Sequence, residues 1–188
     1  TPARTTSGAA GDTAMALTLT GSDAEGGALT YAIVSGLTNG TLTGTVPSLV
    51  YLPKTNYFGG DSLEFRVTYA SGATGTGTIV FDVLPVNDAP TATPLTVSVP
   101  RDGTASIVLA GTDVEGASLY YGIATQPTNG TLTGTAPNLT YRPKANYIGR
   151  DYFDYAVNDG SRASGRAAVS ISVLQVNAAP SAASQTLT

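Results

Sequence analysis

The amino-acid sequence predicts an all-β chain that folds into two tandem β-sandwiches. Three observations support this prediction: apolar and polar residues alternate along short segments, turn-forming residues separate those segments, and the whole pattern recurs after 90 residues. Alternation with a period of two is the pattern of a strand with one buried face. We therefore divide the 188 residues into repeat 1 (1–90), repeat 2 (91–180) and the start of a third repeat (181–188).

The repeat has a constant offset and contains no insertion. The stretch "GSDAEGGALTYAI" at 21–33 reappears as "GTDVEGASLYYGI" at 111–123, and "TNGTLTGTVPSLVYLPKTNYFGGD" at 38–61 reappears as "TNGTLTGTAPNLTYRPKANYIGRD" at 128–151. Long internal copies indicate that one structural unit is used twice. We expect two domains with the same strands in the same order.

About seven strands are predicted in each repeat. Apolar residues at alternate positions, such as Leu29, Tyr31 and Ile33, identify the strand face that packs on the core. Seven short strands at this spacing are typical of an immunoglobulin-like sandwich with Greek-key connections. The predicted strands are one equivalent to 94–99 of repeat 2, then 14–20, 29–34, 40–45, 48–53, 63–68 and 79–84, and the alternating apolar sets of the last two are Leu63, Phe65 and Val67, and Ile79, Phe81 and Val83.

Turn and linker residues separate these strands and the two repeats. Asn39-Gly40 and Asn129-Gly130 are predicted turns, because Asn and Gly accept positive φ angles. The same dipeptides begin Asn-Gly-Thr sequons, so glycosylation is an alternative interpretation. The repeats end in the linkers "VNDAP" at 86–90 and "VNAAP" at 176–180. Since proline biases the preceding residue toward an extended conformation, we expect each joint to be short and semi-rigid.

The composition excludes several classes of function. The chain has no His, Cys or Trp, so it lacks the residues of Ser-His-Asp and Cys-His catalysis, of the usual zinc sites and of disulfides. We predict that it is not an enzyme. Its net charge of -4 gives no basic surface for nucleic acid, and no apolar run is long enough for membrane insertion. The first residues show no signal-peptide pattern, and we expect the chain to be a segment of a longer protein.

Several motifs together resemble a known family. Gly-Ser-Asp-Ala-Glu-Gly at 21–26, Asn-Gly-Thr-Leu at 39–42, Asn-Tyr-x-Gly-x-Asp at 56–61 and the closing Val-Asn-Asp-Ala-Pro are similar to the cadherin-like, immunoglobulin-like tandem repeats of very large bacterial surface adhesins and exoproteins. The resemblance covers nearly the whole chain. It implies an extracellular, cell-surface or secreted stalk of many repeats, in which many members bind calcium at the junctions.

The resemblance also implies which residues would bind calcium. The linker resembles the cadherin junction segment, and 113–115 resembles the acid-x-acid pair contributed by the next repeat. The linker lacks a further acid and Asn found in cadherins, and the second acid of the pair is Glu where cadherins have Asp. We therefore expect one or two ions per joint rather than a larger cluster. The predicted ligands are Asp61, Asn87, Asp88, Asp113, Glu115 and Asp159.

Calcium chemistry suits these residues independently of the family. Ca²⁺ takes six to eight oxygen ligands, with a preference for carboxylates and carbonyls. Five carboxylates brought together without a cation would repel one another by about 1 kcal/mol or more per pair. The alternative is structural: Asp-x-Glu-Gly is a good turn, with Asp capping backbone N–H groups. Asp61 and Asp151 precede Phe65 and Tyr155 by four residues, as in the turn before a tyrosine corner, which Phe65 cannot complete.

The two joints are predicted to differ. Asp88 in the first linker corresponds to Ala178 in the second, so the second joint lacks one acidic ligand. In repeat 1, Tyr69 and Ala70 stand where repeat 2 has Asp159 and Gly160. The calcium site is therefore expected at the joint between repeats 1 and 2.

Three functions remain open at this point. The favoured one is a structural stalk whose partners are the neighbouring repeats of the same chain. The second is a binding module for a surface glycan or protein, although most tyrosines recur in both repeats and so are expected to pack in the core; Tyr69, Tyr120 and Tyr152 lack an aromatic counterpart. The third is a self-assembling filament in which a terminal strand such as 184–188 completes the sheet of another copy.

Overall fold

The computed structural model describes residues 5–23 and 26–176, and all regular secondary structure in these residues is β. The chain divides into two compact units, Thr1–Asn87 and Asp88–Thr188. The division falls inside the first predicted linker. The second linker from Asn177 onward, with Ala178, and the start of a third repeat lie outside the described residues.

The first unit is a sandwich of a four-stranded and a three-stranded sheet. The larger sheet has the order β1-β7-β6-β3, with β1 parallel to β7 and the other pairs antiparallel; the smaller has the order β2-β5-β4. The chain crosses between the two sheets at most of its connections, whereas β4–β5 and β6–β7 are hairpins within one sheet, as in a Greek key. The strands are β1 (Thr5–Ala10), β2 (Met15–Thr18), β3 (Leu29–Ser35), β4 (Gly40–Thr45), β5 (Ser48–Pro53), β6 (Gly59–Tyr69) and β7 (Thr74–Leu84).

The second unit repeats this topology and adds one short ladder. Its sheets have the orders β9-β16-β15-β12 and β10-β14-β13, and β9 is parallel to β16. The additional ladder pairs β8 with β11. The strands are β8 (Thr91–Ala92), β9 (Leu95–Pro100), β10 (Ala105–Val108), β11 (Gly111–Thr112), β12 (Tyr120–Ile123), β13 (Gly130–Thr135), β14 (Asn138–Pro143), β15 (Gly149–Asn158) and β16 (Ala167–Leu174).

Each unit has its own hydrophobic core between its two sheets. In the first unit the core includes the predicted alternating sets of β6 and β7, and every one of those six side chains is buried. Tyr51 stacks on Phe81 with ring centroids 4.0 Å apart. In the second unit the same positions hold Phe153, Tyr155 and Val157 on β15, and Val169, Ile171 and Val173 on β16.

The alternation on β3 ends earlier than predicted. Leu29 and Tyr31 pack against the core, but Ile33 is 39% exposed. The pairing of β3 with β6 shifts register between Ile33 and Ser35, which is a β-bulge. The bulge follows Ile33, so the regular pairing of β3 with β6 ends at this residue, and the buried face of β3 ends at Tyr31.

Candidate metal-binding loops

The loop from Asp113 to Ala117 lies between β11, which pairs with β8, and β12, which belongs to the large sheet of the second unit. Asp113 Oδ1 accepts a 2.9 Å hydrogen bond from the backbone N–H of Ala117, and Gly116 has a φ of +76°. The first unit has the same turn, in which Asp23 Oδ2 accepts from Gly27 N at 2.8 Å. The aspartate of each Asp-x-Glu-Gly sequence thus closes its own loop, as the structural interpretation of the sequence predicts.

The second carboxylate oxygen of Asp113 has a different environment. Asp113 Oδ2 is buried and has no hydrogen-bond partner among the described residues. Leaving a buried acceptor unsatisfied costs about 1–3 kcal/mol. This oxygen is therefore suited to a cation, although the carboxylate already uses its other oxygen to hold the loop.

Glu115 joins this loop to the linker. Its Oε2 accepts a 3.0 Å hydrogen bond from the backbone N–H of Asp88, and both side chains are half-buried. This hydrogen bond places Glu115 beside the linker residue Asp88, and Asp113 lies two residues before Glu115 in the same loop. The backbone N–H of Asp88 donates this hydrogen bond, so the carboxylate of Glu115 is held beside the linker.

Asp159 lies in the turn after β15. Its Oδ1 accepts hydrogen bonds from the N–H groups of Ser161 and Arg162, at 2.6 and 2.5 Å. Asn87 is exposed at the end of the first unit. Over residues 5–23 and 26–176, no three acidic side chains form a group that could hold a metal ion.

Asp61 occupies a core position rather than a loop tip. It is only 7% exposed, and its oxygens accept hydrogen bonds from Thr38 N (3.0 Å), Asn39 N (2.9 Å), Ser62 N (2.9 Å) and the hydroxyl of Tyr51 (3.2 Å). All of these donors stabilise the carboxylate form. A cation at Asp61 would have to compete with four existing hydrogen bonds.

The second unit contains the same arrangement around Asp151. This side chain is 4% exposed and accepts from Thr128 N, Asn129 N and Tyr152 N, while the Tyr141 hydroxyl donates to it at 2.9 Å. The sequence interpretation did not identify the buried tyrosine–aspartate pairs. The signal for them is the spacing of ten residues from tyrosine to aspartate, which is identical in both repeats.

Burial and the adjacent carboxylate change the acidity of both tyrosines. Burial and the negative charge of Asp61 raise the pKa of Tyr51 to about 12. Burial and the hydrogen bond to Asp151 also raise the pKa of Tyr141 well above its usual range. Both tyrosines are therefore neutral hydrogen-bond donors across the ordinary pH range.

Two Greek-key sandwiches in tandem, each with a four-stranded and a three-stranded sheet around its own core, define an immunoglobulin-like repeat protein. The chain belongs to the bacterial Ig domain family: the model described as "Bacterial Ig domain" matches residues 1–82 and again residues 87–172. The all-β fold class and the immunoglobulin-like tandem repeat predicted from the sequence are confirmed. No curated protein sequence is significantly similar to the chain.

Solved structures with the same fold include cadherin fragments. The EC1-2 fragment of human mucin-like protocadherin is 15% identical, with 92% of this chain and 97% of that chain covered and a TM-score of 0.59. Extracellular cadherin domains 1–5 of protocadherin gamma B2 are 14% identical, with coverages of 90% and 38% and a TM-score of 0.55. At these identities the likeness shows the fold alone, and the predicted cadherin-like architecture is confirmed.

An endo-fucoidan hydrolase of glycoside hydrolase family 107 is a more distant structural match. It is 19% identical over 93% of this chain, with a TM-score of 0.39. The chain spans about 28% of the length of that hydrolase. This match is too weak to bear on function.

Between residues 5 and 176, leaving aside 24 and 25, no helix has the length and hydropathy of a membrane-spanning segment.

Proposed function

We propose that the chain is a stalk segment of a large extracellular repeat protein, such as a cell-surface adhesin or fibre. The observation that carries this proposal is the exact repetition of a complete sandwich at an offset of 90 residues, with a separate core in each copy. A unit that folds around its own core and continues directly into the next is suited to covering distance. Its partners are then the neighbouring repeats.

The proposed role is mechanical and not catalytic. The buried acids Asp61 and Asp151 are saturated with hydrogen bonds, and Asp113 and Asp159 close their own loops. A carboxylate pair for glycoside hydrolysis needs two acids about 5–10 Å apart in a cleft. These four acids instead accept hydrogen bonds from backbone N–H groups. Family membership and the cadherin-like fold support an extracellular location for the parent protein.

Calcium binding at the junction is the second part of the proposal. Asp113 through Oδ2, together with Glu115, Asp88, Asp159 and Asn87, would provide oxygen ligands, which is the chemistry that Ca²⁺ requires. Asp61 would contribute least, because its oxygens already accept four hydrogen bonds. Bound calcium would satisfy the buried Asp113 oxygen and reduce repulsion among the acids, and so stiffen the joint.

Differential scanning calorimetry with calcium or EGTA tests the calcium site. For dissociation constants of about 10⁻⁴ to 10⁻³ M, 10 mM calcium is expected to raise the free energy of unfolding by about 1.4–2.7 kcal/mol. We expect Asp88→Ala to reduce this rise. The matched control is Asp82→Ala, which removes an exposed acid from β7. An unchanged melting temperature and an unchanged small-angle scattering profile on adding calcium would refute the calcium site and leave the stalk role intact.

Surface labelling tests the stalk role itself. Antibodies raised against the chain should label unpermeabilised cells of the producing bacterium, and the epitope should be lost after mild surface proteolysis. Labelling that requires permeabilisation would contradict an extracellular role, whatever the result for calcium.

A further inference from the structure

Two strongly exposed tyrosines lie on the outer face of the large sheet of the second unit. Tyr120 on β12 is 66% exposed and Tyr152 on β15 is 61% exposed. Their sequence neighbours Tyr121 and Phe153 pack in the core. Because successive residues of a strand point to opposite faces, Tyr120 and Tyr152 both lie on the solvent side of the same sheet.

These tyrosines mark the two ends of a strip along β12 and β15. The antiparallel register pairs Tyr120 with Asn158 and Gly122 with Ala156. From Asn158 to Tyr152 is six residues along β15, or about 20 Å at about 3.4 Å per residue. We call this surface the tyrosine strip, and it consists of Tyr120, Gly122, Tyr152, Asp154, Ala156 and Asn158.

The first unit shows that the sandwich does not require these side chains. The residues 90 positions earlier than Tyr120 and Tyr152 are Thr30 and Ser62. Between them, the charged pair Glu64 and Arg66 occupies the positions of Asp154 and Ala156. In the first unit this sheet face therefore has hydroxyl side chains at its ends and an acidic and a basic residue at its centre. In the second unit it has aromatic ends, and its centre holds Asp154 beside the small residues Gly122 and Ala156.

The chemistry of the tyrosine strip fits a flat, hydroxylated chain molecule. Exposed tyrosine rings offer an apolar face for the C–H surface of a sugar ring and a hydroxyl for hydrogen bonding. Gly122 and Ala156 leave the centre of the strip open for a ligand to lie against the sheet. Asp154 accepts hydrogen bonds from hydroxyl groups, and Asn158 both accepts and donates. The carboxylate of Asp154 disfavours an acidic group at the centre of the strip.

The size of the strip decides between a protein and a smaller partner. Two strands at about 4.8 Å spacing and a length of about 20 Å give the strip an area of roughly 200 Å². A stable protein–protein interface buries about 800 Å² on each partner. The strip alone is thus too small for a globular protein, but it is long enough for several linked sugar units in contact with both rings.

We propose that the tyrosine strip of the second unit binds a neutral oligosaccharide, with Tyr120 and Tyr152 stacking on sugar rings at its two ends. This site is independent of the stalk role and of calcium. It gives one repeat of the pair a recognition function that the other repeat lacks.

Titration calorimetry of the whole chain with neutral hexasaccharides tests this proposal. The probes are cellohexaose, chitohexaose, laminarihexaose and mannohexaose, with hexagalacturonate as the acidic comparison. We expect a neutral probe to bind, and Tyr120→Thr and Tyr152→Ser each to weaken binding by about tenfold, which corresponds to about 1.4 kcal/mol. The double variant should lose binding. Each change introduces the residue that the first unit carries at that position, and an unchanged melting temperature confirms that the fold is intact.

Matched changes in the first unit provide the control. Thr30→Ala and Ser62→Ala alter the equivalent face and should leave the affinity unchanged. The proposal is overturned if no neutral hexasaccharide binds at millimolar concentration, or if the double variant binds as well as the original chain. Tyrosine-dependent capture of a purified protein without any saccharide binding would also overturn it, in favour of a protein partner.

Discussion

At the scale of single residues, the buried aspartates show how acids contribute to this fold without a cation. Asp61 accepts three backbone N–H groups and the Tyr51 hydroxyl, and so ties the segment before β4 to the start of β6. Removing the tyrosine hydroxyl would leave Asp61 with one donor fewer in a buried site. Hydrogen bonds to an ionised group are worth about 1.5–3 kcal/mol, so this pair is a sizeable part of the stability of a small sandwich.

The raised pKa of Tyr51 predicts a loss of stability at alkaline pH. The unfolded chain ionises Tyr51 near pH 10, whereas the folded chain retains the proton up to about pH 12. The stabilisation is therefore complete below pH 10 and declines as the pH rises to about 12. At pH 11 the expected loss is on the order of 1 kcal/mol from this residue. Urea unfolding at pH 8 and pH 11 measures this loss in the free energy of unfolding.

Tyr51→Phe separates this effect from general alkaline destabilisation. The variant should be less stable at pH 8, because Asp61 loses a donor, and should lose less stability than the original chain between pH 8 and pH 11. Tyr141→Phe should behave in the same way in the second unit, since burial and Asp151 raise the pKa of Tyr141 too. If the original chain and both variants lost the same stability between pH 8 and pH 11, Tyr51 and Tyr141 would not be the source of the alkaline destabilisation.

The sequence identified the acids but not which of them are buried. Asp61 and Asp113 look alike in sequence, since each is a loop aspartate near a glycine. Asp61 is enclosed because β6 begins two residues before it and Tyr51 reaches across from β5, which depends on the packing of the two sheets. The hydrophobic alternation does not report packing of this kind, and the repeated spacing of ten residues from tyrosine to aspartate is the signal that remains in the chain.

At the scale of elements, the second unit has a clasp that the first unit lacks. The hydroxyl of Tyr155 on β15 lies 2.5 Å from the carbonyl oxygen of Thr93 and 2.6 Å from that of Ala110. These residues follow β8 and precede β11, so the tyrosine fastens the short β8–β11 ladder to the large sheet. Phe65 occupies the equivalent position in the first unit and has no hydroxyl group.

Tyr155→Phe is expected to destabilise the second unit by about 1 kcal/mol, because the hydroxyl has one proton to donate to the two carbonyl oxygens and a hydrogen bond contributes about 0.5–1.5 kcal/mol. Calorimetry of the whole chain should show a lower melting temperature for one transition. Tyr152→Phe is the matched control: it removes a hydroxyl from the same strand, but from an exposed side chain. A Tyr155→Phe loss no greater than that of the control would exclude the clasp as a source of stability.

Strand positions were predictable where the alternating pattern was complete. The predicted segments 40–45 and 48–53 coincide with β4 and β5, and the apolar sets of β6 and β7 are buried. The ladder of β8 and β11 was not predicted, because two-residue strands are too short to show a period. The exposure of Ile33 was also missed, since the apolar alternation continues through this residue although the regular pairing of β3 with β6 ends there.

At the scale of the whole molecule, the two separate cores predict independent folding. A fragment of residues 88–176 should fold alone and, in EGTA, melt within a few degrees of one of the two transitions of the whole chain. Circular dichroism and calorimetry measure this. A fragment that remains unfolded would show that the second unit requires its neighbour, and the units would then be one cooperative structure.

The parallel pairing of first and last strands determines how each unit would respond to tension. Six residues of β9 pair with six of β16, from Leu95 with Val169 to Pro100 with Leu174, and β1 pairs with β7 over six residues in the same sense. The chain enters at one end of this ladder and leaves at the other. A pull on the two ends therefore acts along the strands and loads the ladder hydrogen bonds together in shear, instead of opening them one at a time.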